Sequence, residues 1–247
     1  MRRALAALTL LTSVVACEVW AGERVDLELV LLADASRSID DAEIMFQRRG
    51  YAVAITDRAV LSAIVRGGYE GRIAVIYVEW GDESSQEVVV PWTIVDGPES
   101  AAAFARALLE TPRLAFGPNA IGSALAAAHA LIRDEEVAGS RRVIDFSADS
   151  AYSFGGVPIA EARAAALLDD IVINGLAILC RSPECSGRPV GYDLEAAFAQ
   201  LIVGGPGSFV ITADGPESFA EAVRRKLLLE IAGGPPTALK IAERKKF

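Results

Sequence analysis

Asp34, Ser36 and Ser38 stand on alternate residues of ADASRSIDDAE (33–43). Three oxygen-bearing side chains at that spacing can turn inward from a tight loop, an arrangement suited to a hard divalent cation. Magnesium takes about six oxygen ligands near 2.1 Å, keeps several waters and draws few carboxylates from protein. Two further donors sit at comparable places. Asp149, followed by Ser150, ends the apolar run RRVIDFSA (141–148), and Asn119 lies in FGPNAIGSAL (116–125) at the entry to a helical stretch. If the three loops meet, Asp34 and Asp149 supply negative charge and Ser36 and Ser38 supply hydroxyl ligands. Asn119 then adds an amide oxygen, directly or through water. The competing reading is that Asp34 and the serines only cap a turn and the helix behind it.

Such loops need rigid elements to deliver them. RVDLELVLLA (24–33), RIAVIYVEW (72–80), RRVIDFSA (141–148), DIVINGLAIL (170–179) and GSFVITA (207–213) are short β-rich apolar runs bounded by Gly, Asp or charge. SQEVVVPWT (85–93) follows the second after only a turn, so it reads as an antiparallel hairpin partner, and Pro91 suits an edge. Helical patterns lie between. Residues 41–66 carry Ile44, Tyr51, Ile55 and Ala59 at whole-turn spacing, and further helices are expected in 97–110, 119–136, 158–170, 193–202 and 215–232. Strands alternating with helices of this length predict a doubly wound α/β fold. Its sheet is mainly parallel with helices on both faces and one antiparallel edge strand. Ligands of such sheets bind at the carboxyl ends of the strands, where Asp34 and Asp149 fall.

DASRS resembles the D-x-S-x-S signature of the metal-ion-dependent adhesion site (MIDAS) of von Willebrand factor A (vWA) domains. The resemblance runs over about residues 25–232 in element order as well as motif. YVEW (77–80), VVVPW (88–92) and RRVID (141–145) resemble in particular an exported bacterial subgroup of unknown function. It implies a bound Mg2+ (or Mn2+ or Ca2+) at Asp34, Ser36, Ser38, Asn119 and Asp149, with an open position completed by the Asp or Glu carboxylate of a protein partner. It also implies a binding module of adhesion or scaffold type rather than an enzyme. Two positions depart from the pattern: Asn119 stands where the family has threonine, and Ser150 where it has glycine.

The whole chain sets the context. Its 247 residues, 52% hydrophobic, can bury a large core, and a formal charge of −9 opposes nucleic-acid binding, which needs a basic surface. MRR followed by ALAALTLLTSVVA has the form of an export signal over 1–21, too short for a comfortable membrane span. VVAC offers a lipoprotein signal ending at 16 with a lipid anchor on Cys17, VWA (19–21) offers ordinary signal-peptidase cleavage, and a retained anchor is the third reading. A periplasmic or secreted protein is expected, with no transmembrane helix in the mature chain. The domain then spans 22–232, and 233–247 forms a flexible basic tail. Cys180 and Cys185, with four residues between them in a Pro/Gly/Ser loop, suit a short disulfide better than a metal site, which needs more ligands.

Other chemistry-bearing residues have plainer readings. His129, the only histidine, lies in a small-residue helical run and reads as a core or helix-surface group. Asp145, inside a strand, reads as a buried hydrogen-bonded carboxylate or a support of the cleft. Glu79 and Asp82 read as rim or solvated groups, and YSFGGVP (152–158) as a flexible lip over the site. No Gly-rich phosphate loop with its lysine appears. A metal-dependent hydrolase or phosphatase with Asp34 as nucleophile needs a general acid or lysine at the cleft, and Lys226, Lys240, Lys245 and Lys246 all fall late in the chain. A structural envelope protein with a degenerate metal site is the third alternative.

Overall fold

The computed structural model describes residues 22–134, 137–179 and 190–233. Along the chain run β1 (Glu23–Val25), β2 (Leu27–Asp34), α1 (Asp41–Ile55), α2 (Arg58–Gly67), β3 (Ile73–Trp80), β4 (Gln86–Val95), α3 (Pro98–Glu110) and α4 (Ile121–Arg133). They are followed by β5 (Val137–Gly139), β6 (Arg142–Ala148), α5 (Ile159–Leu168), β7 (Val172–Ile178), α6 (Leu194–Leu201), β8 (Val210–Ala213) and α7 (Pro216–Ile231). The main sheet has the order β4-β3-β2-β6-β7-β8, parallel throughout except for β4 at one edge. This is the doubly wound arrangement that the alternating pattern predicts.

The central strands are apolar on both faces because both faces are covered. Every residue of β2 and of β3 is buried. Leu29 and Leu31 of β2 pack with Tyr51, Phe104, Phe219 and Leu227 in one core, built with α1, α2, α3 and α7. Val30 and Leu32 pack the other way with Leu125, Phe146 and Phe198, built with α4, α5 and α6. Sandwiching fixes β2 and β6 firmly, so the residues at their carboxyl ends emerge from a rigid base.

Two expectations need correction. The first strand is broken at Asp26, whose carboxylate accepts from the amides of Tyr69 (2.7 Å), Glu70 (3.0 Å), Gly71 (2.7 Å) and Arg72 (3.3 Å). The stub before it, β1, pairs in parallel with β5 as a separate two-stranded sheet. The helix expected over 41–66 is two helices. Asp57 takes an extended conformation and caps α2 by accepting from the amides of Ala59 and Val60, which breaks the continuous helix. Ala59 is accordingly exposed, and Val60 and Ile64 face the core instead. The expected antiparallel edge partner is β4, and its register against β3 slips between Val75 and Tyr77, near Pro91, an irregularity that an edge strand tolerates. The expected export signal with Cys17, the Cys180–Cys185 pair and the tail beyond Gly233 lie outside the described residues. No helix among the described residues is long and apolar enough to cross a membrane.

Candidate metal centre

β2 and β6 are neighbours in the sheet, with Ala33 opposite Ser147. The connections leave them in opposite directions, since β3 lies to one side and β7 to the other. A crevice opens at their carboxyl ends, where the strand order reverses. Asp34 is the last residue of β2, and Asp149 follows the last residue of β6. The two lie close enough that the Asp149 charge repels that of Asp34. Above them lies an open cleft of about 890 Å3 whose lining includes Ser36, Arg37, Ser38, Asn119, Asp149 and Phe154. All five residues singled out in the sequence converge here.

The first loop is shaped by its own side chains. The Ser36 amide donates to Asp34 Oδ1 at 2.7 Å, and the Ser36 and Ser38 hydroxyl oxygens lie 3.4 Å apart. Asp40 then caps α1, accepting from the Glu43 amide at 2.9 Å while Glu43 accepts from the Asp40 amide at 3.2 Å. Turn and cap are thus both present, but they do not use all of the oxygens. Asp34 Oδ2 and Asn119 Oδ1 are buried acceptors without a hydrogen-bond partner. Such atoms are costly in a folded interior unless something satisfies them.

The second and third loops are tied to the first. The Arg37 amide donates to Gly117 O at 2.9 Å, and Arg113 bridges the loops through Ala35 O (2.7 Å), Ala115 O (3.1 Å) and Asp41 Oδ1 (2.9 Å). Asn119 joins the lip: its Nδ2 donates to Tyr152 O at 2.9 Å and its carbonyl accepts from the Phe154 amide at 2.6 Å. The lip turns back at Gly156, where φ is +68° and a Cβ would stand 2.1 Å from Ser123 Oγ. Glycine is required there. Ser150 Oγ accepts from the Tyr152 amide at 3.1 Å, so the residue replacing glycine stabilises its own turn.

Electrostatics single out the same place. Burial, reinforced by the neighbouring Asp149 charge and offset by hydrogen bonds from Ser36, pushes the Asp34 carboxyl up to about 7. Burial also raises Asp149, against a hydrogen bond from Ser38 and with repulsion from Glu43. A buried and a half-buried carboxylate that repel each other favour whatever positive charge arrives between them. Among the described residues no three His, Cys, Asp or Glu side chains gather as a metal site, so a cation here depends on hydroxyl and amide oxygens as well. The donors are all hard oxygens, a set that fits Mg2+, Mn2+ or Ca2+ better than a thiophilic metal.

The remaining candidates lie elsewhere. His129 Nε2 is 2.7 Å from Asp169, just past the end of α5, toward the amino ends of the strands. Glu79 is neither at the rim nor solvated: it is fully buried in a two-pronged ion pair with Arg48. Asp82 accepts from the amide and hydroxyl of Ser84 and organises its own turn. Asp145 is bound by Lys226 at 2.7 Å on the α7 face of the sheet, with Tyr51 OH at 3.4 Å. Among the described residues the cleft lining contains no histidine or lysine. Sequence reasoning missed Arg113, Arg48 and Gln47, whose Nε2 donates to Asp34 O at 3.2 Å. The partners that matter for the site, Asp34, Glu79 and Ala35, lie 13, 31 and 78 residues away, and nothing local marks them.

Known structures share this architecture. Proximal thread matrix protein 1 from the mussel byssus, in a form with a zinc-occupied MIDAS motif, is 13% identical with a TM-score of 0.61. The alignment covers 85% of this chain and 49% of that one. The pilus adhesin SpaC of Lactobacillus rhamnosus GG in its open conformation is 12% identical with a TM-score of 0.58, over 84% of this chain and 30% of the adhesin. The manganese-loaded TRAP protein of Plasmodium vivax is 14% identical with a TM-score of 0.50, over 84% and 73%. The chain therefore spans about half of the mussel protein's length and under a third of the adhesin's. At these identities the likeness shows the fold, which is that of a vWA domain. No curated protein matches the sequence significantly. Residues 24–235 match the family described as "Protein of unknown function (DUF1194)", and the chain belongs to that family.

Proposed function

We propose that residues 22–232 form an exported module that binds a protein partner through a divalent cation, Mg2+ or a close substitute, held over Asp34, Ser36, Ser38, Asn119 and Asp149. The observation that carries this reading is the pair of buried, unpartnered oxygens, Asp34 Oδ2 and Asn119 Oδ1, beside the half-buried carboxylate of Asp149. A bound cation relieves the repulsion and accepts those lone pairs. Asp34 and Asp149 supply charge, Ser36 and Ser38 their hydroxyls, and Asn119 its amide oxygen in place of a threonine hydroxyl. The open mouth of the cleft leaves room for a carboxylate from a partner. Zinc in the MIDAS motif of the mussel protein and the manganese loaded into TRAP support a divalent ion in a domain of this fold. The basic and apolar N-terminal segment supports export, with a lipid on Cys17 as the variant that attaches the module to a membrane. Asp34 is a poor nucleophile, being fully buried and already bound to the Ser36 amide.

Thermal melting of the purified protein in EDTA against millimolar Mg2+ or Mn2+ tests the cation. An ion bound only by the folded state at 100 times its Kd adds about 2.7 kcal/mol. A rise in Tm that disappears in a Ser36→Ala/Ser38→Ala variant is the expected result. No rise in wild type, or an equal rise in the variant, would falsify the site.

A further inference from the structure

The cleft carries more than the oxygens that a cation uses. Arg37 is the residue between the two serines, exposed at the mouth of the cleft and among its lining residues. Its backbone amide is held by Gly117 O at 2.9 Å, which fixes the root of the side chain. Among the described residues its guanidinium has no ion pair. The acidic groups beside it have other anchors: Asp40, which also lines the cleft, and Glu43 close the capping box of α1, and Asp34 and Asp149 face each other at the strand ends. A divalent ion balances Asp34 and Asp149, and Arg37 then remains at the entrance as the guanidinium that can fork onto an incoming carboxylate.

The same edge is apolar. Leu114, Phe116, Tyr152 and Phe154 are 46%, 54%, 62% and 63% exposed, and all four lie on the two loops that flank the cleft. Tyr152 leans on Tyr192 with ring centroids 5.0 Å apart, and Arg113 covers the Phe116 ring at 4.6 Å. Phe154 makes no ring contact among the described residues and faces the cleft directly. Exposed aromatic side chains gathered at a polar cleft mark a contact surface.

Resting on the reading above, we propose that the partner segment carries two neighbouring carboxylates and an adjoining apolar side chain. One carboxylate completes the ion, the second forms a forked pair with Arg37, and the apolar side chain covers Phe154. A planar guanidinium suits a carboxylate because it offers two parallel N–H donors, and beside a shielded ion such a bond discriminates sharply. Arg37 and Phe154 thereby set which acidic segment is accepted, a choice that the ion alone cannot make.

The probes are acetylated and amidated tetrapeptides followed by NMR titration of the Mg2+-loaded protein: Leu-Asp-Asp-Gly, Leu-Asp-Asn-Gly, Gly-Asp-Asp-Gly, and Leu-Asp-phosphoserine-Gly. The di-acidic leucine peptide is expected to bind about tenfold tighter than either of the next two. In Arg37→Gln its advantage over Leu-Asp-Asn-Gly should collapse, and in Phe154→Ala its advantage over Gly-Asp-Asp-Gly should collapse. The Mg2+-dependent rise in Tm is read in every variant as a check on fold and ion. Equal affinity for the one-acid and two-acid peptides, an advantage that survives Arg37→Gln, a preference for the phosphoserine peptide, or no binding by ion-loaded protein each overturns the inference while leaving the cation site standing. No rise in Tm with Mg2+ in wild type removes the cation site itself, and the inference with it.

Discussion

Arg48 and Glu79 form a forked ion pair, Nε to Oε1 at 2.7 Å and Nη2 to Oε2 at 2.9 Å, with both side chains closed off from water. Arg48 also donates to the carbonyls of Leu108, Thr111 and Pro112 at the end of α3. One guanidinium thus joins α1, the helix behind the first loop, to β3 and to the start of the second loop. All of its donors are used, which is what makes a buried charge tolerable. Removing one partner leaves the other charged, buried and alone.

Arg48→Ala should therefore destabilise the fold by about 3–5 kcal/mol. Replacing both partners, Arg48→Met with Glu79→Leu, should cost much less, because no orphaned charge remains. Urea denaturation of the three proteins measures this. A double variant as unstable as Arg48→Ala would show that the carbonyl contacts, not the charge pair, carry the effect.

Glu230 gives a pH dependence. Burial, added to repulsion from Asp145 and offset by Lys226 at 2.6 Å, pushes its carboxyl up to about 8. A carboxyl raised on folding contributes stability that is present below its unfolded value, near 4.5, and lost as pH climbs through about 8. Glu230→Gln imitates the protonated acid at every pH. Its Tm should match wild type near pH 5 and exceed it at pH 9, by the equivalent of order 1 kcal/mol or more. Parallel Tm curves from pH 5 to 9 would contradict the shift.

Asp34 behaves in the same sense without a cation, since its carboxyl is raised to about 7. In EDTA at pH 8 wild type bears the full repulsion with Asp149, whereas Asp34→Asn bears none and keeps an oxygen for the Ser36 amide. The variant should melt at or above wild type in EDTA and show no rise with Mg2+. A variant that melts lower in EDTA at pH 8 yet still responds to Mg2+ would mean that Asp34 serves the fold and not the ion.

Legibility in the sequence followed the range of the interactions. β2, β3, β6 and β7 read correctly because double-sided burial leaves long apolar runs, and the doubly wound order followed from their alternation with helices. Asp34, Ser36 and Ser38 stood out because one local turn holds them, and Asp149 because it ends an apolar strand. The breaks at Asp26 and Asp57 were hidden, since a single polar residue inside an apolar pattern reads as noise until its amide partners are known. Lys226 read as a late, remote lysine, yet it lies fully buried against Asp145, 81 residues earlier. That placement depends on α7 packing back over the sheet, which no window of sequence contains.

The two carboxylates rest on adjacent strands, whereas the mouth above them is drawn from segments such as 150–157 that belong to no strand or helix. Floor and doorway thereby come from separate parts of the fold. A lineage can lengthen, shorten or recolour the doorway to suit a new guest while the spacing beneath stays locked by one rung of the ladder.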